Sequence, residues 1–249
     1  MLEVAHNEMG INNYGDTNKT GELYFIKNIL KEKFNKADGG EIIIFDVGAN
    51  IGDYSLSLKK IFPLSTIYAF EPNPVSFKKL TEVKEIIAEF HPFCLGLGSG
   101  KSQTKIFTYK NHPQSEHATI IKDVMVQLHK SEEVEEYAVD IVSLDSFCEE
   151  MNIDRIHFIK IDTEGYELEV LKGAVKLIKN KAIEVIQFEF NEMNIFSKVF
   201  MKDFYFMLPD YDFFRLNATN LIPMGKYNTA NEIFRFQNIV AFSKDFLTN

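Results

Sequence analysis

Tryptophan is missing from the 249 residues, and cysteine occurs only twice. Cys94 and Cys148 lie far apart without C-x-x-C spacing, which excludes a disulfide framework and a zinc motif and makes a reducing cytoplasm the expected setting. Positive charge is also scarce: 27 Lys and Arg face 36 Asp and Glu, a formal net charge of -9. A nucleic-acid backbone is therefore not an expected partner, because phosphates are bound by clustered basic residues that displace counterions. No apolar run approaches the roughly 18 residues needed to span a bilayer. The opening MLEVAHNEMG also lacks a charged segment followed by an apolar one, so neither membrane insertion nor a targeting signal is expected. Repeats and low-complexity linkers are absent as well.

What is present is bulk. The chain is 45% hydrophobic with 23 Phe and 10 Tyr, enough for one large aromatic core. Apolar, β-branched runs at 41–47, 65–70, 156–161 and 183–190 alternate with segments of helical period. Strands that are apolar throughout are buried on both faces, which implies a parallel sheet between helices and an α/β fold. Gly52 or Asp53, Asn73 with Pro74, and Ser143 or Asp145 stand where helices over 54–61, 75–88 and up to Glu150 would begin. An amphipathic helix is expected over 20–34, and a last strand within FRFQNIVAFS. The domain reading is an N-terminal helical cap over 1–40 and a single domain over 41–249. Strands and loops near 93–140 form an insertion at one sheet edge.

The stretch IIIFDVGANIGDYS runs from a strand into a glycine turn. Glycines there let a ligand approach the backbone, and the carboxyl ends of parallel strands open into a crevice. The fingerprint for a dinucleotide, G-x-G-x-x-G, lacks its second glycine in Gly48-Ala-Asn50-Ile-Gly52. Asp46 before the turn would repel a pyrophosphate and favour a cation, which points to the sulfonium and ammonium of S-adenosylmethionine. Glu71, ending the next strand in IYAFEPNP, is placed to accept hydrogen bonds from ribose hydroxyls. Further on, FIKIDTEGYELEVLKGA puts Asp162 and Glu164 at the same crevice. Such acids can hold the methionine ammonium, take a proton from a substrate hydroxyl or bind a divalent metal, although no motif has metal spacing. Glu164 or Glu167 could equally cap the following helix.

Taken in order, FDVGANIGDYS, FEPNP, VDIVSLDSF and IHFIKIDTEGYELEVLKGA resemble the FkbM family of S-adenosylmethionine-dependent methyltransferases. The resemblance covers roughly 42–191. It implies a Rossmann-like class I methyltransferase fold, with a mostly parallel seven-stranded sheet and helices on both faces. It also implies methyl transfer to a hydroxyl of a sugar, glycan or secondary metabolite. The loop FCLGLGSG departs from the family's more usual Ala-Leu or Ala-Val followed by a polar residue. On this reading Asp46, Gly48, Asn50, Gly52, Glu71 and Glu164 bind the cofactor. Asp162 is the first candidate at the reacting centre and His117 the second, its ordinary pKa suiting proton transfer near neutrality. His157, inside an apolar run, is expected to be a packed or edge histidine. Glu189 reaches the crevice rim with Asn191, to bind substrate or anchor a loop. The partner is a small molecule or glycan. Two other readings stand beside this one: a nucleotide-dependent oxidoreductase, and a binding protein that kept the fold and lost turnover.

Overall fold

The computed structural model describes residues 2–11, 19–36, 41–131 and 133–248. Parts of the expected N-terminal cap, residues 12–18 and 37–40, lie outside them. Eleven strands run in chain order as β1 Ile43–Val47, β2 Thr66–Phe70, β3 Phe90–Phe93, β4 Gly96–Leu97, β5 Ser102–Tyr109, β6 Val134–Val142, β7 Ile156–Ile161, β8 Ile183–Phe190, β9 Tyr211–Leu216, β10 Leu221–Pro223 and β11 Gln237–Ser243. Eight form the main sheet in the order β10-β9-β11-β8-β7-β1-β2-β3. The block β8-β7-β1-β2-β3 is parallel throughout, so its carboxyl ends share one edge. Beyond β8, β11 returns antiparallel and pairs with β9. Seven of these strands match the expected sheet, and the eighth is the three-residue edge strand β10.

Strand alternation sorts the core into two layers. From β1, Phe45 and Val47 join an apolar cluster with Phe147, Leu171 and Phe204, supplied by helices Leu144–Met151, Glu167–Lys172 and Met201–Met207. From the opposite face of the same strand, Ile44 packs with Phe25, Leu30, Leu58 and Leu80 of the helices over 22–36, Asp53–Ile61 and Pro74–Val83. Each fully buried Phe contributes roughly 1.5–3 kcal/mol, and rings such as Phe70 and Phe147, edge to face at 4.8 Å, add geometric preference. The helix over 22–36 is wound as a π-helix at Phe25–Leu30. The helix at Pro74–Val83 starts where Asn73 Oδ1 accepts the Val75 N–H at 3.0 Å, with Pro74 in its first turn. It ends five residues short of the expected Ala88, because 84–89 breaks into turns.

β4, β6 and β5 make a second, three-stranded sheet from the segment between β3 and β7. Its buried residues Ile106, Val139 and Ile141 gather Ala118 and Ile120 from the following loop. That small apolar face stands beside the carboxyl edge of the main sheet and walls the site.

Candidate functional site

The turn after β1 is fixed by backbone geometry. Gly48 has φ 82°, and a Cβ there would lie 1.7 Å from the carbonyl oxygen of Asp162, so only glycine fits where β1 and β7 converge. Gly52, at φ 93°, is held against Val83 and Leu80. Asn50 takes φ 47°, a left-handed conformation that Asn tolerates better than most residues.

These turn amides are spent inside the protein. Gly48 and Ala49 both donate to the Phe70 carbonyl, at 2.9 and 3.0 Å, and Gly52 donates to Ala49. The Asn50 N–H donates to Glu71 Oε2 at 2.8 Å, while Glu71 Oε1 accepts the Asn73 N–H at 2.8 Å. Glu71 thus ties the first turn to the second, each oxygen keeping a further lone pair. Burial raises its carboxyl to about 7, although both N–H bonds work the other way.

Beside the turn is a cleft of about 530 Å³. Gly48, Asn50, Glu71 and Asp162 line it on the sheet side, Leu95, Leu97, Ile106 and Ile120 give apolar walls, and Tyr166 and the exposed Glu116 complete it. No Lys, Arg or His contributes to the lining. Two glycines of FCLGLGSG have packing reasons: a Cβ would lie 2.4 Å from the Ile141 side chain at Gly96 and 2.8 Å from it at Gly98, and the Gly98 carbonyl in turn would lie 2.0 Å from a Cβ on Gly173. These close approaches seat β6 and the end of the helix Glu167–Lys172 against the loop.

Asp46 lies behind the turn and does not line the cleft. It is fully buried, Oδ2 accepting the Ser55 hydroxyl at 2.6 Å and Oδ1 having no partner; burial raises its pKa. In the sheet register it sits beside Lys160 of β7. Lys160 is 7% exposed, donates to Asp162 Oδ2 at 2.6 Å and stands 4.8 Å over the Tyr54 ring. Burial alone would lower its pKa, but Asp162, Glu22, Asp46 and Glu189 more than reverse this, so it stays charged. Tyr54 donates to Gln187 at 2.8 Å, and Gln187 donates to Glu22 at 2.9 Å, linking the seam to the N-terminal helix. Glu189 is pushed well above its ordinary value, chiefly by burial and next by Asp162, and accepts from Asn191 at 3.4 Å.

Asp162 and Glu164 part company after β7. Asp162 faces the cleft. Glu164 takes φ 56°, a left-handed conformation costing a non-glycine about 1–3 kcal/mol. Its side chain meets His117 Nδ1 at 3.5 Å, the outer limit of hydrogen bonding and well within reach of charge attraction. The loop bearing His117 is pinned there because Thr119 donates to the Glu164 carbonyl at 2.8 Å. Glu164 raises the His117 pKa; burial raises Glu164 to about 7, with His117 opposing it. Each therefore shifts the other's hold on a proton, and the two titrate as a pair. Glu167, in contrast, turns inward: its Oε1 accepts from Thr163 N–H, Thr163 hydroxyl and Gly165 N–H at 3.0, 3.1 and 3.0 Å, a structural cap of the turn. His157 is packed as expected, its Nδ1 accepting the Ile43 N–H at 3.0 Å.

The sequence reading passed over Lys160, Tyr166, His129 and Glu192. A lysine inside FIKID was a readable signal, since an unpaired ammonium is not tolerated in a two-sided buried strand. His129 and Glu192 carry no local signal. Among the described residues, no group of three or more His, Cys, Asp or Glu is arranged to hold a metal ion, and no helix is long and apolar enough to cross a membrane.

The family model described as "Methyltransferase FkbM domain" matches residues 46–215. The chain belongs to the FkbM methyltransferase family. This bears out the resemblance carried by the four motif blocks, and the methyl donor of the family is S-adenosylmethionine. Over 144 residues the chain is 31% identical to "Methyltransferase 1" of Beauveria bassiana, covering 52% of this chain and 57% of that protein. It is 26% identical over 168 residues to "Hexuronic acid methyltransferase AglP" of Haloferax volcanii, covering 67% and 62%. The chain thus spans less than two thirds of the length of either relative. The solved plantazolicin methyltransferase BpumL, in complex with SAH, aligns with a TM-score of 0.49 at 9% identity, covering 92% of this chain and 85% of that one. The cleft fits the family's donor: the lining has acids and no bases, and the N–H groups of Gly48, Ala49, Asn50 and Gly52 that a pyrophosphate would seek are already bonded.

Proposed function

We propose that the chain is an S-adenosylmethionine-dependent O-methyltransferase acting on a hydroxyl of a sugar, glycan or secondary metabolite. The observation that carries this is the acid-lined cleft at the strand ends, walled in part by Ser115, Glu116 and Ala118, the residues flanking His117 and its contact with Glu164. When bound, S-adenosylmethionine supplies a methyl group on a sulfonium, which an acceptor oxygen can displace in line.

In this reading Gly48 and Asn50 shape the donor floor, Glu71 offers its remaining lone pairs to the ribose, and Asp46 supports the turn from behind through Ser55. Gly52 sets the helix start against Leu80 and Val83. Asp162, steadied by Lys160, holds positive charge at the donor's reacting end and orients the acceptor hydroxyl; most of the rate in such a displacement comes from that alignment. The acceptor oxygen gains the methyl group and loses its proton, and His117 with Glu164 takes that proton up. Glu164 accordingly serves the acceptor side more than the methionine end. The relative named for hexuronic acid supports a sugar acceptor. We read 41–249 as one catalytic domain and 1–40 as its cap, working in the cytoplasm.

The test is incubation with labelled methyl donor and a panel of hydroxyl compounds, with S-adenosylhomocysteine affinity measured separately by calorimetry. Asp162→Asn is expected to lower turnover by about 100-fold while donor affinity falls less. Full turnover in that variant would remove Asp162 from the reacting centre, and tighter binding of a dinucleotide than of S-adenosylhomocysteine would restore the oxidoreductase reading.

A further inference from the structure

Beyond the donor cleft, three side chains end in buried polar atoms that no protein group satisfies, His129 Nε2, Glu164 Oε2 and Glu192 Oε2, and a fourth, His117, turns its buried Nδ1 only to Glu164 Oε1, at 3.5 Å. Buried polar atoms are almost always paired, so three open ones gathered around a loosely held histidine leave hydrogen-bonding capacity for another molecule. They come from separate segments. His117 lies on the loop after β5, and His129 closes the short helical turn Val124–Leu128. Glu164 follows β7, its side chain only 10% exposed, and Glu192 follows β8.

Packing brings them together. The His117 and His129 rings lie 5.0 Å apart with 33° between planes. The turn Val124–Leu128 packs against the helix Met193–Ser197, placing Glu192 close enough to act electrostatically on His129. The cleft is adjacent, because Ser115, Glu116 and Ala118 line it on either side of His117.

We propose that these four side chains form the acceptor subsite, and that His129 and Glu192 select an uncharged polyhydroxyl compound over its carboxylate counterpart. The inference rests on the hydroxyl-methylation reading above. Carboxylate oxygens only accept, and a neutral imidazole can accept at Nε2. Vicinal hydroxyls supply the donors these atoms lack. A uronate carboxylate has no proton to give and would meet Glu116, Asp162, Glu164 and Glu192, while Lys160 is committed to Asp162 and His117 already faces Glu164. Burial and the neighbouring His117 both keep His129 neutral, whereas Glu192 pulls the other way, so uptake of the substrate proton is left to His117 with Glu164 and His129 is a positioning residue.

The experiment pairs each neutral pyranoside in a panel with its uronate, using labelled methyl donor, the wild type, and the variants His129→Gln and Glu192→Gln. The neutral member is expected to be the better substrate. In both variants its KM should rise about tenfold or more with kcat changed much less, and with S-adenosylhomocysteine affinity and melting temperature kept. Preference for the uronate, or a wild-type KM in both variants, overturns the subsite while leaving O-methylation standing. Label on neither member of any pair, with donor affinity intact, overturns the sugar reading and the subsite with it.

Discussion

The two ends of the site are built on opposite plans. At the donor end the polar groups that shape the turn satisfy one another, Asp46 Oδ1 behind it excepted: Glu71 takes an N–H on each oxygen, Gly48 and Ala49 share the Phe70 carbonyl, and Glu167 gathers three donors on one oxygen. At the acceptor end His129, Glu164 and Glu192 each bury an atom with no partner, and His117 Nδ1 has only the 3.5 Å contact to Glu164. A preorganised cradle suits a donor that is always the same molecule; open hydrogen-bonding capacity suits an acceptor whose own groups must complete the set.

The sharpest way to break that contrast is at Gly48. A Cβ 1.7 Å from the Asp162 carbonyl, on a residue at φ 82°, cannot be absorbed without moving β1 or β7. Gly48→Ala is expected to cost about 3 kcal/mol or more, read as a loss of roughly 100-fold in S-adenosylhomocysteine affinity. Near-normal affinity would mean the donor end is not preorganised by this turn.

The same contrast explains what the sequence disclosed. The strand-turn-helix at Gly48, the carboxylate ending β2, and the packed His157 all follow from residues adjacent in the chain, where periodicity and turn chemistry act directly. Asp46 shows the limit of that logic: it stands one residue before Val47, yet alternation sends its side chain to the face of the N-terminal helix, away from the cleft. His129 and Glu192 were illegible because their proximity arises only when the Val124–Leu128 turn packs on Met193–Ser197. The Glu164–His117 contact likewise depends on a loop pinned by Thr119 more than 40 positions away in sequence.

A pH profile probes the acceptor end next. Glu164 is raised to about 7 and His117 is raised above its ordinary 6.5, so the pair holds an extra proton at low pH and cannot accept one from the substrate. Activity should rise with pH through about 7. His117 faces Glu164, Glu116, Asp162 and His129, and it lowers the pKa of Glu164. In His117→Ala the residual activity should therefore have its limb displaced to higher pH, because Glu164 loses that counter-charge. A limb unmoved by the substitution would detach the pair from the proton step.

The smallest expected effect separates the two carboxylates that begin as neighbours in DTEGYE. Glu167 is 2% exposed and makes its bonds within the turn, so Glu167→Ala leaves buried N–H groups of Thr163 and Gly165 unpaired. That costs about 1–3 kcal/mol, a melting-temperature drop of about 2–4 °C per kcal/mol for a chain of this size. Glu164→Gln keeps volume and removes an ionisable group that burial makes costly to charge, so at pH 8 it should leave the melting temperature level or raise it while turnover falls. The sign follows from the raised pKa: the carboxyl favours folding only while protonated, and that contribution fades as pH rises through about 7. Scanning calorimetry of both variants at pH 8 decides the matter, since equal losses of stability would make Glu164 a second structural cap and close the acceptor end to the role given it.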